Sequence, residues 1–196
     1  MPDIVYYYFP LKALGEVNRL LLSYGGEKFE DKRVNLETEW ASFKPKTPFG
    51  QLPVLKIDGK EYAQSMPIAR FLGRRYGLAG ANAAEDCEID QNVEFINDIR
   101  TSECRFLHSF EALKVAAPWC LSMPNFSGII KLILLFCLFQ LTWGDFVFAG
   151  MYDYLKSMMR TPDLDNKYPR FRQLANSVLS LPKIKEYVAA APKCDW

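Results

Sequence analysis

Apolar and polar positions alternate over residues 3–9. Ile4, Tyr6 and Tyr8 fall on one side and Val5, Tyr7 and Phe9 on the other, so the stretch predicts a strand that Pro10 ends. Over 14–24, LGEVNRLLLSY, the period becomes helical: Val17, Leu20, Leu21 and Tyr24 share one face, and Gly25-Gly26 is a stop signal. KFEDKRV at 28–34 predicts a short, polar edge strand. PVLKIDGKEYA at 53–63 predicts a hairpin turning at Asp58-Gly59. SMPIARFLGRRYG at 65–77 predicts a helix, with Ser65 as candidate N-cap, Pro67 in the first turn, Arg74 and Arg75 in the last, and Gly77 following.

The order is therefore β-α-β, a long connection, then β-β-α. A strand, a crossover helix and a strand make a parallel pair, and the hairpin adds antiparallel strands. GLAGANAAEDC at 77–87 is small and polar and reads as a linker. Beyond it strand signals fade. Residues 86–100, with Ile89, Val93, Phe95, Ile96 and Ile99, predict a long helix, and 142–160, 169–180 and 183–191 predict three more. The expected fold class is an α/β part over 1–77 and a linker over 78–85, followed by an all-α part over 86–196.

Composition narrows the chemistry. The chain has 196 residues, 49% hydrophobic and 24% charged, with a net charge of +1, which suits a globular protein with a real core. No clustered basic excess points to nucleic acid or to an anionic membrane. The first residues carry no signal-peptide pattern, and the apolar run at 129–139 is short for a membrane span and contains Lys131. Cys87, Cys104, Cys120, Cys137 and Cys194 are odd in number, widely spaced and without a CxxC pair, which predicts a reduced, cytoplasmic setting rather than a disulfide framework. His108 is the only histidine, so no His-rich metal site is expected, and a lone histidine is more often structural than catalytic.

Three local patterns carry chemistry. PFGQLPVL at 48–55 sets Pro53 where a strand should start, and its missing N–H leaves the backbone pair of Leu52 free for a ligand. AQS at 63–65 puts Gln64 and Ser65 at a helix N-terminus, a natural carboxylate site. LTWGDF at 141–146 is a capping box, with Thr142 as N-cap, Asp145 three residues on, and Leu141 and Phe146 as a staple.

In this order and spacing the patterns resemble the cytosolic glutathione transferases. The finer resemblance, carried by YYFPLKALGE (7–16), FKPKTPFGQLPVL (43–55), IDGKEYAQSMPIARFLGRRYGLAG (57–80), IDQNVEFINDIR (89–100) and LTWGDFVFAGMYDYL (141–155), is to the sigma class, most of all its insect members. That class is related to haematopoietic prostaglandin D synthase and to the lens S-crystallins. The resemblance implies a thioredoxin-like N-terminal domain, βαβ-ββα, followed by a helical C-terminal domain. It implies a homodimer that conjugates glutathione to small electrophiles, with glutathione as co-substrate and no other cofactor. Alternatives from the same kinship are a non-enzymatic crystallin-like relative and a glutathione-dependent prostaglandin isomerase. Vertebrate members that isomerise prostaglandin H carry arginine where Leu14 stands, which weighs against the latter.

Residue roles follow from the resemblance alone. Alternation separates Tyr7 from Tyr6 and Tyr8 but does not choose between those two; the family's catalytic tyrosine, just before Phe-Pro, corresponds to Tyr8. Leu52, flanked by Gln51 and Pro53, would meet the cysteinyl part of glutathione, Gln64 and Ser65 the γ-glutamyl end, and Trp40 and Lys44 the glycyl carboxylate. Asp98 would reach the glutathione of the partner subunit. Phe9, Leu14 and Arg100 would wall the electrophile pocket.

Residues 101–140 depart from the family. From Val115 to Gly144 the only charge is Lys131, where the chain's average would put about seven. Pro118 and Pro124 would interrupt a long helix. Family motifs resume abruptly at Leu141, so the block reads as a substitution, such as a shifted reading frame or a misjoined exon would make.

Overall fold

The computed structural model describes residues 2–107 and 140–192, with the backbone alone over 102–107. His108, Cys120, Cys137, Cys194 and most of the atypical block lie outside the described residues.

Strand β1 (Ile4–Tyr8), helix α1 (Ala13–Gly25) and strand β2 (Glu30–Arg33) form the predicted parallel unit. A short helix α2 (Trp40–Phe43) and a 3-10 turn (Lys44–Lys46) fill the long connection; neither has a hydrophobic period long enough to read. Strands β3 (Val54–Ile57) and β4 (Lys60–Ala63) make the hairpin, and α3 (Ser65–Arg75) follows. The sheet order is β2-β1-β3-β4, with β1 parallel to β2 and antiparallel to β3. Asp58 and Gly59 both take positive φ, 49° and 85°, the backbone a tight two-residue hairpin turn requires.

The predicted N-cap of α3 moves by one residue. Gln64, at φ 75°, is the flanking residue, and Ser65 is already helical. The chain leaves β4 in a single sharp step, and that step is taken at Gln64. Helix α4 (Ala83–Leu107) starts earlier than the predicted 86. Asn82 caps it, its Oδ1 accepting the N–H groups of Ala84 and Glu85 at 3.0 and 3.1 Å.

The C-terminal layer is helical: α5 (Trp143–Met158), α6 (Leu164–Lys167), α7 (Pro169–Leu179) and α8 (Pro182–Ala190). Helix α5 packs against α1, α3, α4 and α7, and α8 packs against α1. Sandwiched between β1 and α5, α1 is buried on nearly every side. Leu20, Leu21 and Leu22 are fully buried, beyond the single predicted face, while Tyr24 is half-buried with its ring edge-on to Phe146 at 5.2 Å. The result is a thioredoxin-like N-terminal domain with a mixed four-stranded sheet, and a helical C-terminal domain. Among the described residues no helix is long and apolar enough to cross a membrane.

The capping box holds α5 where it meets the first domain. The Thr142 N–H and hydroxyl donate to Asp145 Oδ2 at 2.7 and 2.9 Å, and the Trp143 N–H donates to the carbonyl of Leu78 at 3.0 Å. Asp145 is fully buried, so its loss would strand donors away from water. Thr142→Ala should lower the unfolding free energy by about 1 kcal/mol. Asp145→Ala should cost more, about 1–3 kcal/mol. Urea unfolding followed by circular dichroism measures both.

Candidate active site

Three tyrosines occupy successive positions of β1, and the sheet's two faces separate them. Tyr7 points away from α1: its ring stacks on Phe43 at 5.1 Å, with the Lys32 ammonium 5.5 Å from its centroid. Tyr6 and Tyr8 point toward α1, where both are buried.

The Tyr6 hydroxyl proton is committed within the protein and is not available to a ligand. Its hydroxyl donates to the Gly15 carbonyl at 3.2 Å and accepts from Asn18 Nδ2 at 3.2 Å. Full burial pushes its pKa far above the ordinary tyrosine value.

Tyr8 differs. Among the described residues no protein acceptor takes its hydroxyl proton, while the backbone amide of Leu14 donates toward its oxygen. Burial, with a smaller contribution from Tyr154, raises its pKa to about 12, against the opposing pull of Arg19, the Leu14 amide and Arg100. At neutral pH Tyr8 is therefore a protonated phenol, able to donate a hydrogen bond and unable to act as a base. Its carbonyl accepts from the Val34 N–H at 2.7 Å, which fixes the end of the strand.

Gly15 sets the depth of the ring. A Cβ built on it would fall within the Tyr8 ring, with Cε1 only 2.6 Å away. Helix α1 thus approaches the phenol ring this closely because this position has no side chain.

The second cluster is the loop before β3 and the start of α3. The Leu52-Pro53 peptide is cis. Gln64 Nε2 donates to Gln51 Oε1 at 3.1 Å, joining the loop to the helix start. Asn18 Nδ2 also lies 3.4 Å from the Ser65 carbonyl, so one α1 amide touches both the tyrosine strand and the helix start. Gln51, Leu52, Pro53, Gln64 and Ser65 accordingly share one region.

Phe9 bridges to the third group. Its ring lies 5.6 Å from Tyr8 and 5.3 Å, edge-on, from Trp40. Lys44 is exposed and lies beside Gly50, whose Cβ would sit 3.5 Å from Lys44 Cε. Arg100 is half-buried and donates to Asn97 Oδ1 at 2.9 and 3.1 Å and to Thr101 Oγ1 at 3.2 Å. Leu14 is half-buried against the core. Asp98 is exposed on α4, and no described contact joins it to these groups.

Sequence reasoning missed Gly15, Asn18, Arg19 and Tyr154. Two signals were present: a glycine inside a helical segment, and polar residues in the otherwise apolar run VNRLLL. Among the described residues no cluster of His, Cys, Asp or Glu is arranged to hold a metal ion.

Comparison with known proteins gives a consistent picture. Residues 2–74 match the family model "Glutathione S-transferase, N-terminal domain", and residues 135–191 match "Glutathione S-transferase, C-terminal domain". The chain is 48% identical over 205 residues to glutathione S-transferase 2 of Manduca sexta, covering 100% of each chain. It is 36% identical to a glutathione S-transferase of Anopheles gambiae, covering 98% of each. Among solved structures, prostaglandin synthase D of Nilaparvata lugens superposes with a TM-score of 0.85 at 33% identity, covering 97% of this chain and 100% of that one. The glutathione S-transferase of Ascaris lumbricoides does so with a TM-score of 0.80 at 30% identity, covering 98% of each.

Gly15→Ala provides a stability test of the ring contact. Glycine to alanine inside a helix ordinarily stabilises by about 0.5–1 kcal/mol. Here the added methyl must displace the Tyr8 ring, so a loss of about 1–3 kcal/mol is expected. The midpoint of urea unfolding should fall rather than rise.

Proposed function

The chain belongs to the glutathione S-transferase family, and from that premise we propose that Tyr8 is the residue with which this enzyme activates glutathione. The enzyme transfers glutathione to electrophiles, which requires the thiolate. A free thiol with a pKa of about 8.5 is only a few per cent ionised at pH 7. Lowering that pKa by two units takes about 2.7 kcal/mol of differential interaction, and one aimed donor in a dry site supplies much of it. Because the phenol's pKa of about 12 lies far above that of the thiol, the shared proton stays on Tyr8. The thiol's own proton leaves to solvent, and sulfur keeps the negative charge. The observation that carries this reading is the contrast within β1: Tyr6 is hydrogen-bonded internally, Tyr7 faces away, and Tyr8 alone is buried with its proton uncommitted.

The rest of the assignment follows the clusters. Leu52, with Gln51 and Pro53 beside it, meets the cysteinyl backbone of glutathione. Gln64 and Ser65 hold the γ-glutamyl end at the start of α3, where the helix dipole favours a carboxylate. Trp40 and Lys44 receive the glycyl carboxylate. Phe9, Leu14 and Arg100 wall the electrophile pocket. Asp98, exposed on α4, reaches the glutathione of a second subunit in a homodimer. The protein is a sigma-class, cytoplasmic enzyme in this reading, with domains over 1–77 and 86–196 and no prosthetic group.

A glutathione-dependent isomerase is the second reading, favoured by the likeness to a structure described as prostaglandin synthase D. Leu14 weighs against it, and both readings use the Tyr8-stabilised thiolate. Product analysis with a prostaglandin endoperoxide separates isomerisation from conjugation. The curated relatives carry the name of the enzyme, which sets aside the non-enzymatic alternative.

Tyr8→Phe should cut turnover of a chromogenic aryl halide by about 10²-fold or more, with the KM for glutathione within a few-fold. Tyr7→Phe should retain activity. Unchanged turnover in Tyr8→Phe would end the assignment. The pH profile gives an independent measure: at saturating glutathione, kcat/KM for the electrophile rises with pH through the bound thiol's pKa and then levels, and in Tyr8→Phe that rise should move up by about two units.

A further inference from the structure

Arg19 is fully buried in α1 and is the largest charged side chain in the core. Its guanidinium is used on every edge. Nη1 donates to the Leu11 carbonyl at 2.7 Å and Nη2 to the Phe9 carbonyl at 3.1 Å. Nε lies 3.0 and 3.1 Å from the two oxygens of Asp31 on β2, and Nη1 lies 3.6 Å from Glu16. The guanidinium carbon is 5.6 Å from the Tyr8 ring centroid and 5.9 Å from that of Tyr6.

Stability alone does not explain this arrangement. A buried ion pair is often no more stabilising than apolar residues of the same volume, and α1 is otherwise surrounded by leucines. Nor do the two carbonyls belong to a random loop. Phe9 and Leu11 lie between Tyr8 and the start of α1, in the segment whose path decides where the phenol ends and where the Leu14 amide meets it.

We propose that Arg19 is a positioning residue for Tyr8: it clamps the Phe9–Leu11 segment through two carbonyls and sets a fixed positive charge beside the phenol ring. This rests on the reading of Tyr8 given above. A positive charge near the ring stabilises the phenolate form, which makes the O–H more acidic and so a better donor to a thiolate. Arg19 opposes the rise in the Tyr8 pKa that burial causes, the direction this role requires. The surrounding charges set its strength. Just before α1 there is Lys12 and on it Glu16, on β2 Asp31 and Arg33, and on β1 the Tyr6 and Tyr8 phenols. From α8, the Tyr187 hydroxyl lies 3.3 Å from both Glu16 oxygens. The clamp thereby ties the C-terminal helix to the tyrosine strand.

The test follows the ultraviolet absorbance of the thiolate of enzyme-bound glutathione as pH rises, in the wild type, Arg19→Lys and Asp31→Asn. Circular dichroism verifies each fold. Lysine keeps a positive charge but cannot hold two carbonyls and a carboxylate in one plane. In Arg19→Lys the bound thiol's pKa should rise by about one unit, up to about ten-fold less thiolate at pH 7, while glutathione affinity stays within about three-fold. Asp31→Asn removes an offsetting negative charge and leaves Arg19 on its two carbonyls. There the pKa should fall by about half a unit. The opposite signs separate electrostatic positioning from loosened packing, because disorder raises the pKa in both variants, and a rise in both overturns the inference. If Arg19→Lys does not fold, Asp31→Asn decides alone: an unchanged or raised pKa overturns it. A normal wild-type thiolate that is unmoved in Arg19→Lys overturns this inference and leaves the Tyr8 reading intact. A wild-type complex that forms no thiolate below the ordinary thiol pKa overturns the Tyr8 reading, and this inference with it.

Discussion

The close contact between the Tyr8 ring and the bare backbone of Gly15 sets the position of the phenol, and the surrounding groups keep α1 in that contact. The ring can lie there because no Cβ stands in its way. The helix stays there because β1 covers one side and α5, α3 and α8 pack on the others. A helix covered in this way has no solvent-facing stripe on which to carry its polar residues. Asn18 and Arg19 therefore point inward, and their N–H groups find partners within the protein, while Asn18 Oδ1 is buried without one.

Those inward polar groups make the site one unit. Asn18 joins Tyr6 to the start of α3, and Arg19 joins the Phe9–Leu11 segment to β2. The Tyr6 proton is committed because it completes this network. Tyr8, one pleat further along the same face, is past its reach, and its proton is left available. Two tyrosines that are equivalent by pattern are thus made different by one buried amide and one carbonyl.

The C-terminal domain contributes to the same end. Helix α5 supplies the lid over α1 and carries Tyr154 toward Tyr8, and its capping box sets the point where it enters the core. Asp165 accepts from Tyr152 and Lys156 of α5 at 2.6 Å each and from Arg172 of α7 at 3.2 Å, so the later helices are fastened to α5 rather than to the sheet. Helix α8 reaches back to Glu16 through Tyr187. Burial raises the Glu16 carboxyl pKa above its ordinary value despite the pull of Arg19. Stability from this group is therefore greatest below the ordinary glutamate pKa and declines as pH rises through the raised value.

Much of this was legible in the chain. The β-α-β and β-β-α order, the Asp58-Gly59 turn, the Thr142/Asp145 box and the helices α4, α5, α7 and α8 follow from periodicity and punctuation, because they depend on short-range rules of spacing and backbone freedom. The short α2 and α6, the 3-10 turn and the one-residue shift at Ser65 were not legible, since their conformations are set by where the chain must go next. The family motifs pointed to Tyr8, yet the physical difference between Tyr6 and Tyr8 was invisible to alternation. That difference depends on Gly15, Asn18 and Arg19, which lie 7 to 13 positions away in sequence and meet the strand only when α1 folds back over it. Local sequence determined which elements form and which hydroxyls share a face. Tertiary structure decided which hydroxyl is free, because hydrogen-bond satisfaction in a buried core is settled by neighbours distant along the chain.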